Sequence, residues 1–285
     1  MPELPEVETV RRGLEPVLAG ARLKRVIANR ADLRFPLPAN FAERLEGARI
    51  DSLARRAKYL LAALDTGETL AMHLGMSGRF TIVEAARQPG DFYYSTPPDP
   101  IHTHVVFETE AGGRVEYNDP RRFGYMDLIP TKDLASYKLF ADLGPEPLGN
   151  EFNAGSLAAA FRGRKQNVKA TLLDQRVVAG LGNIYVCEAL HRAGISPRRA
   201  AGRVTAAQRE NLARAVRAVL GEAIEAGGSS LKDYARADGA LGYFQHRFRV
   251  YGREGQACQT KECGGVIRRL AQAGRSTFYC PRCQH

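Results

Sequence analysis

At 285 residues with a net charge of +10, from 41 Lys and Arg against 31 Asp and Glu, the chain can build two domains with a substantial core and has a polyanion as its leading partner. The early glutamates exclude a basic-then-apolar leader, and no apolar run approaches the ~18 residues of a membrane span, so a soluble, cytosolic protein is expected. Five cysteines, four of them in the last 28 residues, exclude a secreted disulfide framework and leave a metal site plus Cys187, expected as a buried helix residue. The basic excess is largely arginine, which suits phosphate and base contacts. A basic surface kept only for solubility is the alternative that charge leaves open.

The chain opens on Pro2-Glu3, repeated as Pro5-Glu6. Removal of Met1 ahead of this small residue would leave Pro2 with a secondary amine. Such amines titrate near ~8, so a neutral fraction can trap a carbonyl or sugar anomeric carbon as a cationic iminium. Glu3 would stand beside the reacting carbon for acid-base or charge-stabilising work. The same residues also read as a plain helix start, proline in the first turn and carboxylates at the positive end. Val7, Val10, Leu14, Val17 and Leu18 then recur at helical spacing as far as Gly20. From Leu23 to about Ile129 the pattern changes to short strands at 49–53, 59–64, 69–73, 79–83, 104–109 and 114–117, which predicts a β-sandwich. A short helix is expected over 134–140, and Gly144-Pro-Glu-Pro-Leu-Gly149 reads as a stiff linker. Beyond it the chain is helical, with Thr205 and Gln208 as a capping box, an apolar stripe from Leu212 to Ile224 and a stop at Gly227-Gly228.

The strongest metal signal is Cys258-x4-Cys263 followed by Cys280-x2-Cys283. Four thiolates in two close pairs predict one structural zinc ion with no open position for catalysis, on a hairpin over 266–270 and 277–279. Arg268, Arg269, Arg275 and Arg282 on this hairpin point to phosphate. Asn118-Asp-Pro-Arg-Arg-Phe-Gly124 follows a strand and offers two arginines with an aromatic on a tight turn, the chemistry needed to enter a groove and fill a vacated base position. A turn with solvated arginines and a core Phe123 is the plain alternative. His73-Leu-Gly-Met-Ser-Gly78 places Met76 between glycines, as a flexible apolar probe or as core filler. Lys58 lies just before an apolar strand, where basic residues protect an edge or aim into a groove. Gly180-Leu-Gly-Asn183 has Tyr185 at the third glycine position of a dinucleotide fingerprint, which excludes that reading but leaves an anion site with Asn183 as a donor. Gly227 to Gly239 is a polar, glycine-bounded loop that can order over a ligand.

In this order, the Met1 to Thr9 opening, Ala57-Lys58-Tyr59, His73 to Gly78, Asp119 to Gly124, Gly180 to Tyr185, Ser230 to Gly239 and the four cysteines closely resemble the bacterial formamidopyrimidine-DNA glycosylases. The resemblance spans the whole chain. It implies an α+β fold of two domains: an N-terminal β-sandwich with flanking helices, and a helical helix-two-turns-helix domain with a zinc-finger β-hairpin, with DNA in the cleft. The corresponding division is 1–133 for the catalytic sandwich, 134–150 for the linker, 151–245 for the helix-two-turns-helix domain with a lesion-capping loop, and 246–285 for the zinc finger.

The resemblance also implies a bifunctional glycosylase and abasic-site lyase of base excision repair, acting on 8-oxoguanine and formamidopyrimidines in duplex DNA. In it Pro2 is the nucleophile at C1′, Glu3 assists base loss and ring opening, and the iminium permits β and δ elimination. Glu6 supports the site and Lys58 contacts the lesion's phosphate or base. Met76, Arg121 and Phe123 correspond to the void-filling triad, with Arg121 facing the orphaned cytosine. Arg122, Lys169, Asn183, Tyr251 and Arg275 correspond to phosphate-binding positions, and Ser229, Ser230, Lys232 and Tyr234 to the cover over the everted base. One structural Zn2+, held by Cys258, Cys263, Cys280 and Cys283, is the only cofactor expected, and the protein is expected to act as a monomer in the cytoplasm, on the nucleoid, with no membrane partner. The first cysteine pair departs from the family's commoner spacing of two, which puts the local turn in question more than the metal. An endonuclease VIII-like enzyme for oxidised pyrimidines is the nearest alternative, although Leu4 and the Arg121 and Phe123 wedge resemble the purine branch. A noncatalytic zinc protein that binds nucleic acid is the other.

Overall fold

The computed structural model describes residues 2–83, 99–229 and 243–285. Ser230, Lys232 and Tyr234 therefore lie outside the described residues. Contacts divide the chain into two units, Met1–Ala141 with Ala226–Tyr243, and Asp142–Glu225 with Phe244–His285.

In the first unit, α1 (Leu4–Leu18) begins behind Glu3, which caps it in an extended conformation, with Pro5 in the first turn. Leu4, Val7, Val10, Leu14 and Leu18 are buried along one face, as a 3.6-residue period requires. Two antiparallel four-stranded sheets follow. One runs β2 (Ile50–Arg56), β3 (Tyr59–Leu64), β4 (Glu68–His73) and β8 (Tyr125–Pro130); the other runs β1 (Leu23–Ala28), β6 (Thr103–Thr109), β7 (Arg114–Asn118) and β5 (Arg79–Val83). A short helix, α2 (Phe41–Leu45), lies between β1 and β2. Alternate residues of both sheets meet in one core: Leu60, Ala62, Leu64, Leu70, Met72, Met126 and Leu128 from the first, and Val105, Phe107, Val115, Tyr117 and Phe80 from the second. That period-two pattern defines the sandwich, and α1 adds its own apolar stripe to the core.

All six expected strands are present, those at 59–64 and 79–83 as expected and the others with ends moved by at most three residues. The helix expected over 134–140 is not formed: a 3-10 turn spans Thr131–Ser136 instead. The Tyr137 hydroxyl donates to Asp127 at 2.6 Å and the Phe140 ring packs on Tyr59 at 5.0 Å. These tertiary ties draw both side chains onto the sheet and off a helical path.

The second unit holds α3 (Ala154–Phe161), α4 (Val168–Leu173), α5 (Asn183–Arg192), α6 (Ala206–Glu225) and a hairpin of β9 (Arg268–Gln272) and β10 (Arg275–Tyr279). The expected capping box opens α6: Thr205 N–H donates to Gln208 Oε1 at 3.1 Å and Gln208 N–H to Thr205 Oγ1 at 3.3 Å. The hairpin sits two residues later at its start than the apolar run predicts. Its turn is Ala273-Gly274, both with positive φ, the backbone that matches strand twist in a two-residue loop.

Candidate active site and nucleic-acid interface

In the first unit the chain start forms a compact carboxylate turn. Pro2 is buried, Glu3 is 3% exposed and Glu6 is 2% exposed. Glu3 N–H donates to Glu6 Oε2 at 2.8 Å, completing a capping box in which the Glu3 side chain accepts from the Glu6 backbone. The second Glu6 oxygen accepts from the backbone N–H of Ser229 at 2.8 Å and from its hydroxyl at 3.0 Å. Glu6 therefore holds Ser229 against the start of α1. The turn Pro2-Glu3 to Glu6 and Ser229, 223 residues later, meet through the Glu6 carboxylate.

Lys58 occupies a two-residue turn between β2 and β3, where Arg56 pairs with Tyr59. Ala57 before it has φ 52°, a left-handed conformation that costs a residue with a Cβ. The β3-β4-β8 register sets Tyr59 beside His73 and His73 beside Tyr125. The His73 ring stacks on Tyr125 with centroids 5.2 Å apart and meets Tyr59 at 5.0 Å. Burial pushes the His73 pKa down to about 4, and the Lys58 and Arg34 charges push the same way. Its Nδ1 accepts the Gly75 N–H at 3.0 Å, so the neutral ring carries its proton on Nε2.

Met76, Arg121, Arg122 and Phe123 converge on a pocket of about 550 Å³ that Arg34 and His73 also line. Asp119, fully buried, organises the two loops that carry them. Its Oδ1 accepts from Ser77 Oγ at 2.6 Å, and its Oδ2 accepts from Gly124 N–H at 2.8 Å and Tyr117 Oη at 3.3 Å. Ser77 in turn accepts the Arg121 N–H at 3.3 Å. A Cβ on Gly75 would lie 2.3 Å from the Phe123 carbonyl carbon, and one on Gly124 would lie 1.8 Å from the Tyr117 hydroxyl. No other residue fits at these two crossings. Phe123 is left 41% exposed with the Arg121 guanidinium 4.8 Å from its ring centroid, an aromatic and a cation presented together.

In the second unit, Asn183 opens α5 and donates Nδ2–H to the Ser276 carbonyl at 2.9 Å. Gln175 shapes the turn before it, accepting the Gly180 N–H at 2.8 Å and donating to the Leu181 carbonyl at 3.0 Å. Lys169 is fully buried, with its ammonium on Thr277 Oγ1 at 2.7 Å and the Ser276 carbonyl at 3.3 Å. It braces β10 from inside. Tyr251 is half-buried and packs on Phe248 and Phe278, and Arg275 is exposed at the first position of β10. Glu188, which sequence patterning passed over as a helix residue, accepts three backbone N–H groups, from Arg249, Val250 and Tyr251, at 2.8 to 3.0 Å. Burial raises its pKa, and these three donors oppose the rise.

Cys258, Cys263, Cys280 and Cys283 place their sulfurs within 4.8 Å of one another. The Cys258 to Cys283 and Cys263 to Cys280 separations are 3.7 and 3.6 Å, close to the ~3.8 Å edge of a tetrahedron with Zn–S bonds near ~2.3 Å, and Cys263 and Cys283 lie closer, at 3.0 Å. A Cβ on Gly265 would lie 2.8 Å from Cys280 Sγ and 3.2 Å from Cys263 Sγ, so the glycine leaves the sulfurs their room. The four-residue spacing is accommodated by Glu262 and Gly264, both at φ 60°. These residues fit one structural zinc ion.

A β-sandwich whose double loop presents Arg121 beside Phe123, and a helical unit with a four-cysteine hairpin, are the architecture of a zinc-finger protein suited to nucleic acid. Residues 1–126 match the formamidopyrimidine-DNA glycosylase N-terminal domain, 143–235 its H2TH domain, and 255–285 the zinc finger found in FPG and IleRS. The chain is 64% identical over 286 residues to the formamidopyrimidine-DNA glycosylase of Caulobacter vibrioides (strain NA1000 / CB15N), with all of both chains covered. It is similar to the MutM (Fpg) protein of Thermus thermophilus, with 42% identity, a TM-score of 0.84 and 99% and 98% of the two chains covered. It is similar also to the Lactococcus lactis Fpg in complex with abasic-site DNA, with 33% identity, a TM-score of 0.86 and both chains fully covered. The chain belongs to the formamidopyrimidine-DNA glycosylase family, DNA glycosylases of base excision repair.

Proposed function

We propose that this glycosylase excises oxidised purines, 8-oxoguanine and formamidopyrimidines, from duplex DNA and cleaves the resulting abasic site, with the Pro2 amine as nucleophile once Met1 is removed. The observation that carries this reading is the buried turn in which Pro2 precedes the Glu3 cap and Glu6 ties that cap to Ser229. The positive end of α1 disfavours a protonated amine there, and burial lowers competition from water. The amine lone pair forms a bond to C1′ as the bond to the base breaks, and the base departs with a proton. Glu3 delivers a proton to the ring oxygen as the sugar opens. The resulting iminium acidifies neighbouring C–H bonds, so the 3′ and then the 5′ phosphate leave by β and δ elimination. Water then returns the free amine and releases the sugar remnant.

The remaining residues act on DNA geometry. Lys58 takes the lesion's phosphate or base. Met76 and Phe123 fill the space left by the everted nucleotide while Arg121 faces the orphaned base, offsetting an eversion cost of a few kcal/mol. Arg122, Asn183, Tyr251 and Arg275 take phosphates, and Lys169 serves the same surface by holding Ser276 and Thr277. Ser229, Ser230, Lys232 and Tyr234 serve the cover over the everted base. The division at 133, 150 and 245 into sandwich, linker, helical domain and zinc finger is part of this reading. So is a monomer working in the cytoplasm on the nucleoid. Among the described residues no helix is long and apolar enough to cross a membrane.

Borohydride trapping on a duplex with 8-oxoguanine opposite cytosine tests the mechanism. A covalent protein–DNA adduct is expected, lost in Pro2→Gly and in protein with a verified blocked N-terminus, while duplex binding by both persists. Strand cleavage by the blocked protein would refute the amine mechanism, and absence of an adduct with every damaged duplex would leave a noncatalytic binder.

A further inference from the structure

His191 stands in the last turn of α5, 5% exposed. Its Nε2 lies 3.6 Å from Cys258 Sγ, and its buried Nδ1 has no partner among the described residues. A neutral imidazole has one N–H and one lone pair. With the proton on Nε2, an N–H···S bond forms and only an acceptor is left unmet at Nδ1. The other tautomer would bury an unmet donor and point a lone pair at a thiolate, so the first is favoured. Four thiolates on one divalent cation carry a net negative charge, which nearby donors stabilise.

Cys258 is also one of the two less buried ligands. Cys258 and Cys283 are only partly buried, whereas Cys263 and Cys280 are buried, and of the two Cys258 begins the wide four-residue knuckle. Arg253 steadies the approach to it, bonding Gln256 Oε1 at 2.9 Å and the Ala257 carbonyl at 3.3 Å. Three polar ties then run along α5 to the segment that carries the cysteines: Asn183 to Ser276 at its start, Glu188 to the 249–251 backbone at its middle, and His191 to Cys258 at its end.

We propose that His191 is a positioning residue of the zinc centre, donating Nε2–H to the Cys258 thiolate, so that this helix side chain retains the metal and locks the four-cysteine hairpin onto α5. The inference rests on the four-cysteine zinc site and is independent of the Pro2 mechanism.

The test uses the full chain loaded with one zinc. Long-range proton–nitrogen NMR on the unmodified protein is expected to place the His191 proton on Nε2; a proton on Nδ1 overturns the proposal. His191→Met removes the donor at similar volume, and His191→Gln supplies another N–H. Transfer of zinc to a chromogenic chelator is expected to be about 10- to 100-fold faster in His191→Met. The sulfur-to-metal charge-transfer band of the cobalt-substituted protein should move to lower energy, as expected for a thiolate without a donor. His191→Gln should return both toward the original values. Equal release rates and an unmoved band in His191→Met, or a His191→Gln protein that behaves as His191→Met does, would show that the ring only packs.

Discussion

His73 illustrates how neighbours decide the chemistry of a residue. In sequence it begins a glycine-rich motif; in the fold it is wedged between Tyr59 and Tyr125 with Lys58 and Arg34 nearby. The unfolded chain binds its proton near 6.5 and the folded one only near 4, so unfolding takes up a proton between those values. The stabilisation is complete above pH 6.5 and is lost as pH falls toward 4. It amounts to at most about 3 kcal/mol, less for the part of the ring that water reaches. The His73 ring-proton NMR signal should therefore stay in its neutral position at pH 5.5, and titration near 6.5 would contradict the buried stack. Glu6 works at the same scale. Glu6→Ala would strip the acceptor from the backbone N–H and hydroxyl of Ser229, for an expected loss of about 2 to 4 kcal/mol in urea unfolding.

At the scale of elements, Met76, Arg121 and Phe123, proposed above as the wedge, belong to two loops that Asp119 ties together. The motifs over 73–78 and 119–124 are visible in the sequence as glycine-punctuated turns with a methionine, arginines and a phenylalanine. That Asp119 clamps Ser77 to Gly124 and Tyr117 is not visible there, because Ser77 lies 42 residues away in sequence. Gly75→Ala would add strain at φ +62° and drive a Cβ into the Phe123 and Gly124 backbone, which cannot yield as a flexible side chain would. It is expected to uncouple the loops, giving a lower melting temperature and a weaker rise in 2-aminopurine fluorescence opposite a lesion. An unchanged signal on both counts would mean that the loops are not locked through this crossing. The zinc hairpin is the contrasting case. Cysteine spacing alone identified its metal, yet the Ala273-Gly274 turn sets the register, so that the first strand lies two residues later and the second begins two residues earlier than the sequence suggested.

For the whole molecule, the charge of +10 predicts affinity dominated by counterion release. Binding to an abasic-analogue duplex should weaken steeply between 50 and 200 mM salt, by about 10³-fold or more if six or more phosphates are neutralised. Arg275→Gln should lower the slope of log affinity against log salt by about 1 without altering lesion preference; a changed preference with an unchanged slope would place Arg275 on a base. Cys258→Ser should raise the dissociation constant and preserve adduct formation at saturating protein, since the metal holds the hairpin and supplies no reacting group. Normal affinity in a folded, metal-free Cys258→Ser protein would contradict this.

The sequence by itself determined whatever is written locally: the α1 start at Pro2-Glu3, the period-two strands of the sandwich, the Thr205 and Gln208 box, and the four thiolates of the zinc site. Each depends on residues within a few positions of one another, or on a side-chain chemistry with few alternatives. Only the tertiary structure decided that Glu6 grips Ser229, that Asp119 binds the wedge loops together, that Lys169 turns inward, that 134–140 abandons a helix for Tyr137 and Phe140 contacts, and that His191 meets Cys258. Those outcomes depend on which distant groups share a buried space, where an unmet polar atom is costly and one hydrogen bond selects the partner.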